Sequence, residues 1–182
     1  MSPDWPVETP RLTLRPFVAE DFAAMHAMRS GAEVARYLYG EPMSEDETRT
    51  LLEKKMVGSA WAQEDDWLTA AAVERASGTT VGDVSLHWVS ERDKTAEIGF
   101  IIDPRHHGKG FATEAARALV EWAFASGFHR VIGRTEARNT ASAHVLEKLG
   151  MRLEARLVEN EWVKGEWQSE LVYAILDREW TA

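Results

Sequence analysis

The run Arg105-His106-His107-Gly108-Lys109-Gly110-Phe111-Ala112 sets two glycines around a lysine, after an apolar stretch and ahead of a long amphipathic one. That layout suits anion binding. The first four N–H groups of a helix have no internal partner, and the helix dipole draws negative charge to them. Glycine lets the backbone approach closely because no Cβ intervenes. Charge-assisted hydrogen bonds are worth about 1.5–3 kcal/mol each, so four or five would hold a pyrophosphate. Lys109 adds a mobile positive charge. Two phosphate loops are excluded. A Walker A loop needs glycine where Asp103 stands and Ser or Thr where Gly110 follows Lys109. A dinucleotide fingerprint needs a third glycine or alanine where Thr113 stands. A tight turn without a ligand stays open on these residues alone.

The flanking elements place this loop. Residues 11–17 alternate as a strand, and a helix is expected from Ala19 to Arg29, punctuated by Gly31. Ser44 and Glu47 have the form of a capping box, which starts a helix expected to reach about Gln63. Residues 67–75, 80–89 and 95–103 read as three strands with short turns, hence an antiparallel meander. After the glycines, Ala112, Ala115, Ala116, Leu119, Val120, Ala123 and Phe124 form one helical stripe, which Gly127 ends. The strand 130–137 follows a helix and is expected to run parallel to the strand before it. Asn139 is the expected N-cap of a helix with the inner stripe Ser142, Val145, Leu146 and Leu149, closed by Gly150. Residues 151–158 alternate as a strand, and a turn at Lys164-Gly165 leads into the last one. The order describes a mixed α/β (α+β) fold in a single domain over residues 1–182.

Composition limits the function. The chain of 182 residues has 45% hydrophobic and 28% charged residues, as a globular domain does. It has no cysteine, which excludes disulfides, thiolate metal sites and a cysteine nucleophile. The net charge of −9 speaks against a nucleic-acid module and is compatible with a cationic substrate. No apolar run approaches a membrane span, and the first residues lack a signal-peptide layout. A cytoplasmic location, with neither membrane nor nucleic acid as partner, is the expectation. No His-x-Glu or His-Glu-x-x-His pattern occurs, so no metal is expected.

Arg105-x-x-Gly108-x-Gly110 resembles the acyl-CoA pyrophosphate loop of the GNAT N-acetyltransferase superfamily. Three more segments strengthen the resemblance: "ETPRLTLRPFVAEDF" (8–22), "AEIGFIIDP" (96–104) and "NTASAHVLEKLGM" (139–151). They are similar to segments of the Rim-type branch, which contains ribosomal-protein N-terminal acetyltransferases. The resemblance implies a GNAT fold, a twisted and mostly antiparallel sheet of about seven strands with about four helices. Strands 95–103 and 130–137 would splay apart. It also implies acetyl-CoA as cosubstrate, its pantetheine arm along the backbone of Phe100, Ile101 and Ile102. Its pyrophosphate would lie on His107, Gly108, Lys109, Gly110, Phe111 and Ala112, with Arg105 in the motif and Asn139 across the cleft. The tyrosine that many members carry seven residues after that Asn is Leu146 here, which leaves Ser142 as the candidate acid toward the leaving thiolate. Met151 replaces the usual phenylalanine, a packing change. A homodimer is a further expectation of the resemblance.

The implied reaction is attack of a neutral amine on the acetyl thioester. At pH 7 a lysine-type amine is neutral about once in 2,500 molecules and an α-amine roughly once in seven. Glu97 is the candidate base, set by strand alternation on one face with Gly99 and Ile101. A solvated or ion-paired glutamate is the alternative. Trp61, Trp67 and Trp88 are expected in the core rather than in an acceptor pocket, and Tyr173 and His144 are weak acceptor-site candidates. The acceptor is an amine, either a protein N-terminus or a small molecule. A non-catalytic acyl-CoA-binding module and an ATP-binding protein are the competing classes.

Overall fold

A computed structural model describes residues 1–57 and 61–181. One sheet of eight strands has the order β1-β2-β3-β4-β5-β6-β8-β7. The strands are β1 (Val7–Glu8), β2 (Leu12–Arg15), β3 (Trp67–Glu74), β4 (Thr79–Ser90), β5 (Thr95–Ile102), β6 (Arg130–Glu136), β7 (Arg152–Val163) and β8 (Glu166–Leu176). All neighbours are antiparallel except β5 and β6, which are parallel. The α-helices among the described residues are α1 (Phe22–Arg29), α2 (Ala32–Ala35), α3 (Glu45–Val57), α4 (Phe111–Ala125) and α5 (Thr140–Lys148). The architecture matches the mixed, mostly antiparallel sheet that the resemblance implies. The eighth strand is the two-residue β1, and the fifth helix is the single turn α2; both are too short to carry a period.

Local chemistry explains the other boundaries. The 19–29 helix opens as a 3-10 turn, Ala19–Asp21, because the buried Asp21 carboxylate is held from outside the helix. It accepts from Arg15 Nη1 at 2.7 Å, Val18 N–H at 2.9 Å and Thr80 Oγ1 at 2.6 Å. The Ser44–Glu47 capping box forms, with Ser44 N–H donating to Glu47 at 2.8 Å and Glu47 N–H to Ser44 Oγ at 3.3 Å. Helix α3 is described as far as Val57; residues 58–60 of the expected helix lie outside the described residues, and Trp61, before Gln63, is not helical. Strand β7 runs five residues past Val158 because its register shifts twice, which breaks the alternation a sequence pattern needs.

Two cores hold the layers. Phe111, Ala115, Ala116, Leu119, Val120 and Ala123 bury α4 against Leu68, Ala70, Val84, Leu86, Ala96 and Ile98 on one sheet face. Trp61 is fully buried there, its ring 4.6 Å from Phe128 and 5.4 Å from Trp88. Helix α5 joins this face through Leu146, which packs so tightly over Gly133 that a Cβ there would lie 2.5 Å from Leu146 Cδ2. On the opposite face a smaller core of Phe17, Met25, Leu52, Ala71 and Val73 seats α1 and α3. The site lies between these layers, where the sheet splits.

Candidate active site

Strand β5 ends at Ile102, and the Asp103 carboxylate caps the 3-10 turn Pro104–His106 by accepting from Arg105 N–H at 2.9 Å. The Arg105 guanidinium folds back onto that carboxylate at 2.5 Å and holds Asp103 below the usual carboxylate range. Arg105 therefore braces the turn, and its exposed side chain is not on the cavity wall. His107 is also tied back: its N–H donates to Pro104 O at 3.1 Å, and ring Nε2 lies 2.8 Å from Ile102 O. Gly108 and Gly110 follow with φ of 75° and 81°, left-handed values that disfavour any side chain. The first helical bond of α4 runs from Glu114 N–H to Gly110 O, so the N–H groups of Gly108 to Thr113 have no acceptor among the described residues. The Lys109 ammonium stays on the outer side, 5.9 Å from the Phe111 ring centroid. The Phe111 side chain is buried, which leaves its backbone for binding.

A brace that the motif does not contain fixes this loop. Arg11, at the start of β2, donates through Nη1 to Lys109 O at 2.7 Å and through Nε to Glu114 at 2.7 Å. Glu114 also accepts from Arg11 N–H and from Thr9 Oγ1, each at 2.7 Å. These four bonds tie the first hairpin to the first turn of α4. The only sequence signal for them was the "ETPRL" segment, which gave no role to any one residue.

The parallel pair opens beside the loop. Thr95, Ala96 and Glu97 pair with Arg130, Val131 and Ile132, and there the pairing stops. From Ile98 to Ile102 strand β5 keeps its bonds to β4 but has no strand partner on the β6 side. The main-chain groups of Phe100 and Ile102 that point away from β4 thus line one edge of a cavity of about 1190 Å³, with Ile102 O already met by the His107 ring. Gly108, Gly110, Phe111, Ala112, His107, Asn139, Ser142 and Glu97 line the same cavity.

Glu97 sits at the point of the fork. Burial raises its pKa above the ordinary glutamate value, against the opposing pull of Arg134 and His87. Arg134 Nε lies 3.6 Å from Glu97 and its Nη1 3.8 Å from Glu170, which is also raised by burial. The register puts Trp67, His87, Glu97 and Ile132 in one row across the sheet. Neither Arg134 nor Glu170 stands out in the sequence, because only the β6–β8 pairing brings them to Glu97. The tip of the β7–β8 hairpin closes this side. Tyr39 Oη donates to Glu161 at 2.8 Å, and burial with that bond pushes its pKa up to about 12. Lys164 Nζ donates to Ala35 O at 2.6 Å.

Across the fork, Asn139 caps α5 by accepting from Ser142 N–H at 3.1 Å. Leu146 and Leu149 are buried as expected and Val145 packs half-buried beside them, while Ala143 takes the inner position expected of Ser142, which is half-buried on the cavity side. Leu146, where the resemblance implies a tyrosine, is buried over Gly133. Tyr173 is buried, donates to Glu147 at 3.2 Å and does not line the cavity. Trp67 does line it, stacked on His87 at 4.5 Å, and Trp61 and Trp88 belong to the core. Among the described residues no group of three or more His, Asp or Glu could hold a metal ion, and no helix is long and apolar enough to cross a membrane.

Comparison with known proteins agrees with this geometry. The family model of the acetyltransferase (GNAT) domain matches residues 11–152. A GNAT-family acetyltransferase structure from Bacillus anthracis has a TM-score of 0.86 at 30% identity, over 95% of this chain and 99% of its own. A spermidine N-acetyltransferase from Vibrio cholerae, solved with CoA and spermine, has a TM-score of 0.78 at 25% identity, over 94% and 98%. The uncharacterized N-acetyltransferase YnaD of Bacillus subtilis is 28% identical over 175 residues, 96% of this chain and 98% of its own length.

Proposed function

Because the chain belongs to the acetyltransferase (GNAT) family, as the match over residues 11–152 establishes, we propose a division of labour within an acetyl-CoA-dependent N-acetyltransferase. Acetyl-CoA supplies the activated acetyl thioester. The unsatisfied N–H groups of Gly108 to Thr113 suit its pyrophosphate, and the φ of 81° at Gly110 keeps a side chain out of that cradle. The open edge of Phe100, Ile101 and Ile102 suits the amide groups of a pantetheine arm and the charge that develops on the acetyl oxygen. Glu97 takes the proton from the attacking amine, directly or through a water. Ser142, on the far wall beside Asn139, delivers a proton to the leaving thiolate.

The acceptor is an amine, either a protein N-terminus, which the Rim-type segments favour and whose α-amine is more often neutral at pH 7, or a small molecule. The single domain over residues 1–182 acts in the cytoplasm, without nucleic acid, membrane or metal, and a homodimer is its expected assembly. The observation that carries this reading is the fork itself: strand pairing ends at Glu97, in the cavity that the glycine loop enters. A binding-only module has no use for a desolvated carboxylate at that point. A thiol-release screen with acetyl-CoA against peptide N-termini, polyamines and other amines tests the reading. Thiol release that depends on one class of amine is expected; no release with any amine overturns it.

A further inference from the structure

The acceptor side of the cavity contains a buried charge cluster that does not balance. Arg29, in the last turn of α1, places Nη2 2.8 Å from Asp83 Oδ2. Lys55, in the last turn of α3, places Nζ 3.3 Å from the same oxygen. The three side chains are 10%, 13% and 4% exposed, and all three line the cavity. Two cations thus share one carboxylate, and Arg29 Nε has no hydrogen-bond partner among the described residues. Glu33 also lines the cavity, but it is exposed and makes no ion pair with either cation. A cation left uncompensated away from water is costly. Burial lowers the pKa of Lys55, and the neighbouring Arg29 lowers it further, against the pull of Asp83. Phe17, Met25 and Leu52 seat α1 and α3 on the sheet by apolar packing, and Lys55 Nζ lies 5.3 Å over the Phe17 ring, a contact that offsets part of its charge but supplies no second anion.

The opposite wall has the opposite sign. Glu97 and Glu170 lie on either side of Arg134, and Glu161, bonded to Tyr39, lines the same wall. Asp83 faces Ile101 and His87 faces Glu97, all on one sheet face, so the two walls are four residues apart along β4. That is about 13 Å at the backbone, less the reach of the side chains. An amine held at Glu97 therefore meets the cationic pair with a group a few residues' length away.

We propose that Arg29 and Lys55 form an anion subsite of the acceptor pocket, and that the substrates are amines carrying a carboxylate or phosphate at that distance. This deepens the acetyltransferase reading and rests on it. A free α-amino acid, with both charges on one carbon, is too short. A peptide α-amine with an acidic or phosphorylated side chain at its second to fourth residue spans the gap, since an extended chain advances about 3.3–3.6 Å per residue. A polyamine, cationic throughout, opposes this wall.

The test is steady-state acetylation of pentapeptides that differ only at the third residue, Glu, phosphoserine or Gln, with spermidine as a fourth acceptor. The peptides with Glu or phosphoserine should exceed the Gln peptide about tenfold or more in kcat/KM, chiefly through KM, as one added charge-assisted bond implies. Preference for phosphoserine over Glu marks phosphate as the natural group, and the reverse marks carboxylate. Lys55→Met and Arg29→Met should each shrink the anionic preference below about threefold. Equal rates for the Glu and Gln peptides in the unmodified enzyme, or spermidine as the best acceptor, overturn the subsite without any need for a variant. A rise in the Kd of acetyl-CoA in Lys55→Met, with the acceptor preference intact, assigns the pair to the carrier and overturns it too. Failure of every amine instead overturns the acetyltransferase reading beneath it.

Discussion

A carboxylate serves as a base only if it is ionised when the amine arrives, and burial works against ionisation. Glu97 holds both tendencies: burial raises its pKa, and Arg134 at 3.6 Å restrains the rise. The sign of the pH dependence follows. Activity should fall as pH drops through the raised Glu97 pKa, so the acidic limb of kcat/KM should lie above the ordinary glutamate value of about 4.3. Arg134→Met removes the restraint and should move that limb to higher pH. Glu97→Gln should abolish the limb and lower kcat by about 10²–10⁴-fold, the usual range for loss of a general base. A loss of under threefold in stopped-assay turnover would make Glu97 a structural residue. Ser142→Ala should lower kcat more than it weakens acetyl-CoA binding, because its backbone N–H still caps on Asn139. Asn139→Ala, by contrast, removes that cap and should cost about 1 kcal/mol in a urea titration.

At the scale of elements, the parts legible in the sequence were those built from local rules. The α4 stripe, the Gly127 stop, the Ser44 capping box and the Asn139 cap depend on neighbours within one turn. The parallel pair was legible from the helix between its strands, but the point where it opens was not, because pairing between β5 and β6 is a long-range fact. The loop shows the same division. Its glycines announced themselves, whereas Arg11 and Glu114, 103 residues apart, meet only after the first hairpin docks on α4. Two substitutions separate cradle from brace. Gly110→Val places a β-branched residue at φ 81° and should weaken acetyl-CoA binding more than tenfold by calorimetry, at a stability cost of about 1–3 kcal/mol. Glu114→Ala leaves the glycines intact but frees Arg11 N–H and Thr9 Oγ1. It should cost about 1–3 kcal/mol of stability and loosen acetyl-CoA binding by a smaller factor.

Seen as a whole molecule, the sheet consists of two leaves whose strands pair at three positions among the described residues. The leaf β1–β5 carries α1–α3, the leaf β6–β8 carries α5, and α4 packs across the junction. The hairpin tip touches the first leaf again through Tyr39–Glu161 and Lys164–Ala35. A carrier that lies in the fork must contact both leaves, so its binding free energy acts on the junction between them. A ligand that binds only the native state stabilises it by about 2.7 kcal/mol at 100 times its Kd. For a chain of this size each kcal/mol raises Tm by about 2–4 °C, so saturating CoA should raise Tm by about 5–11 °C. ATP shares the phosphates but has no pantetheine arm to lie in the fork beside Ile102, and should give the smaller shift at equal concentration. A larger shift with ATP than with CoA would place nucleotide binding at the glycine loop and leave the open edge of β5 without a purpose.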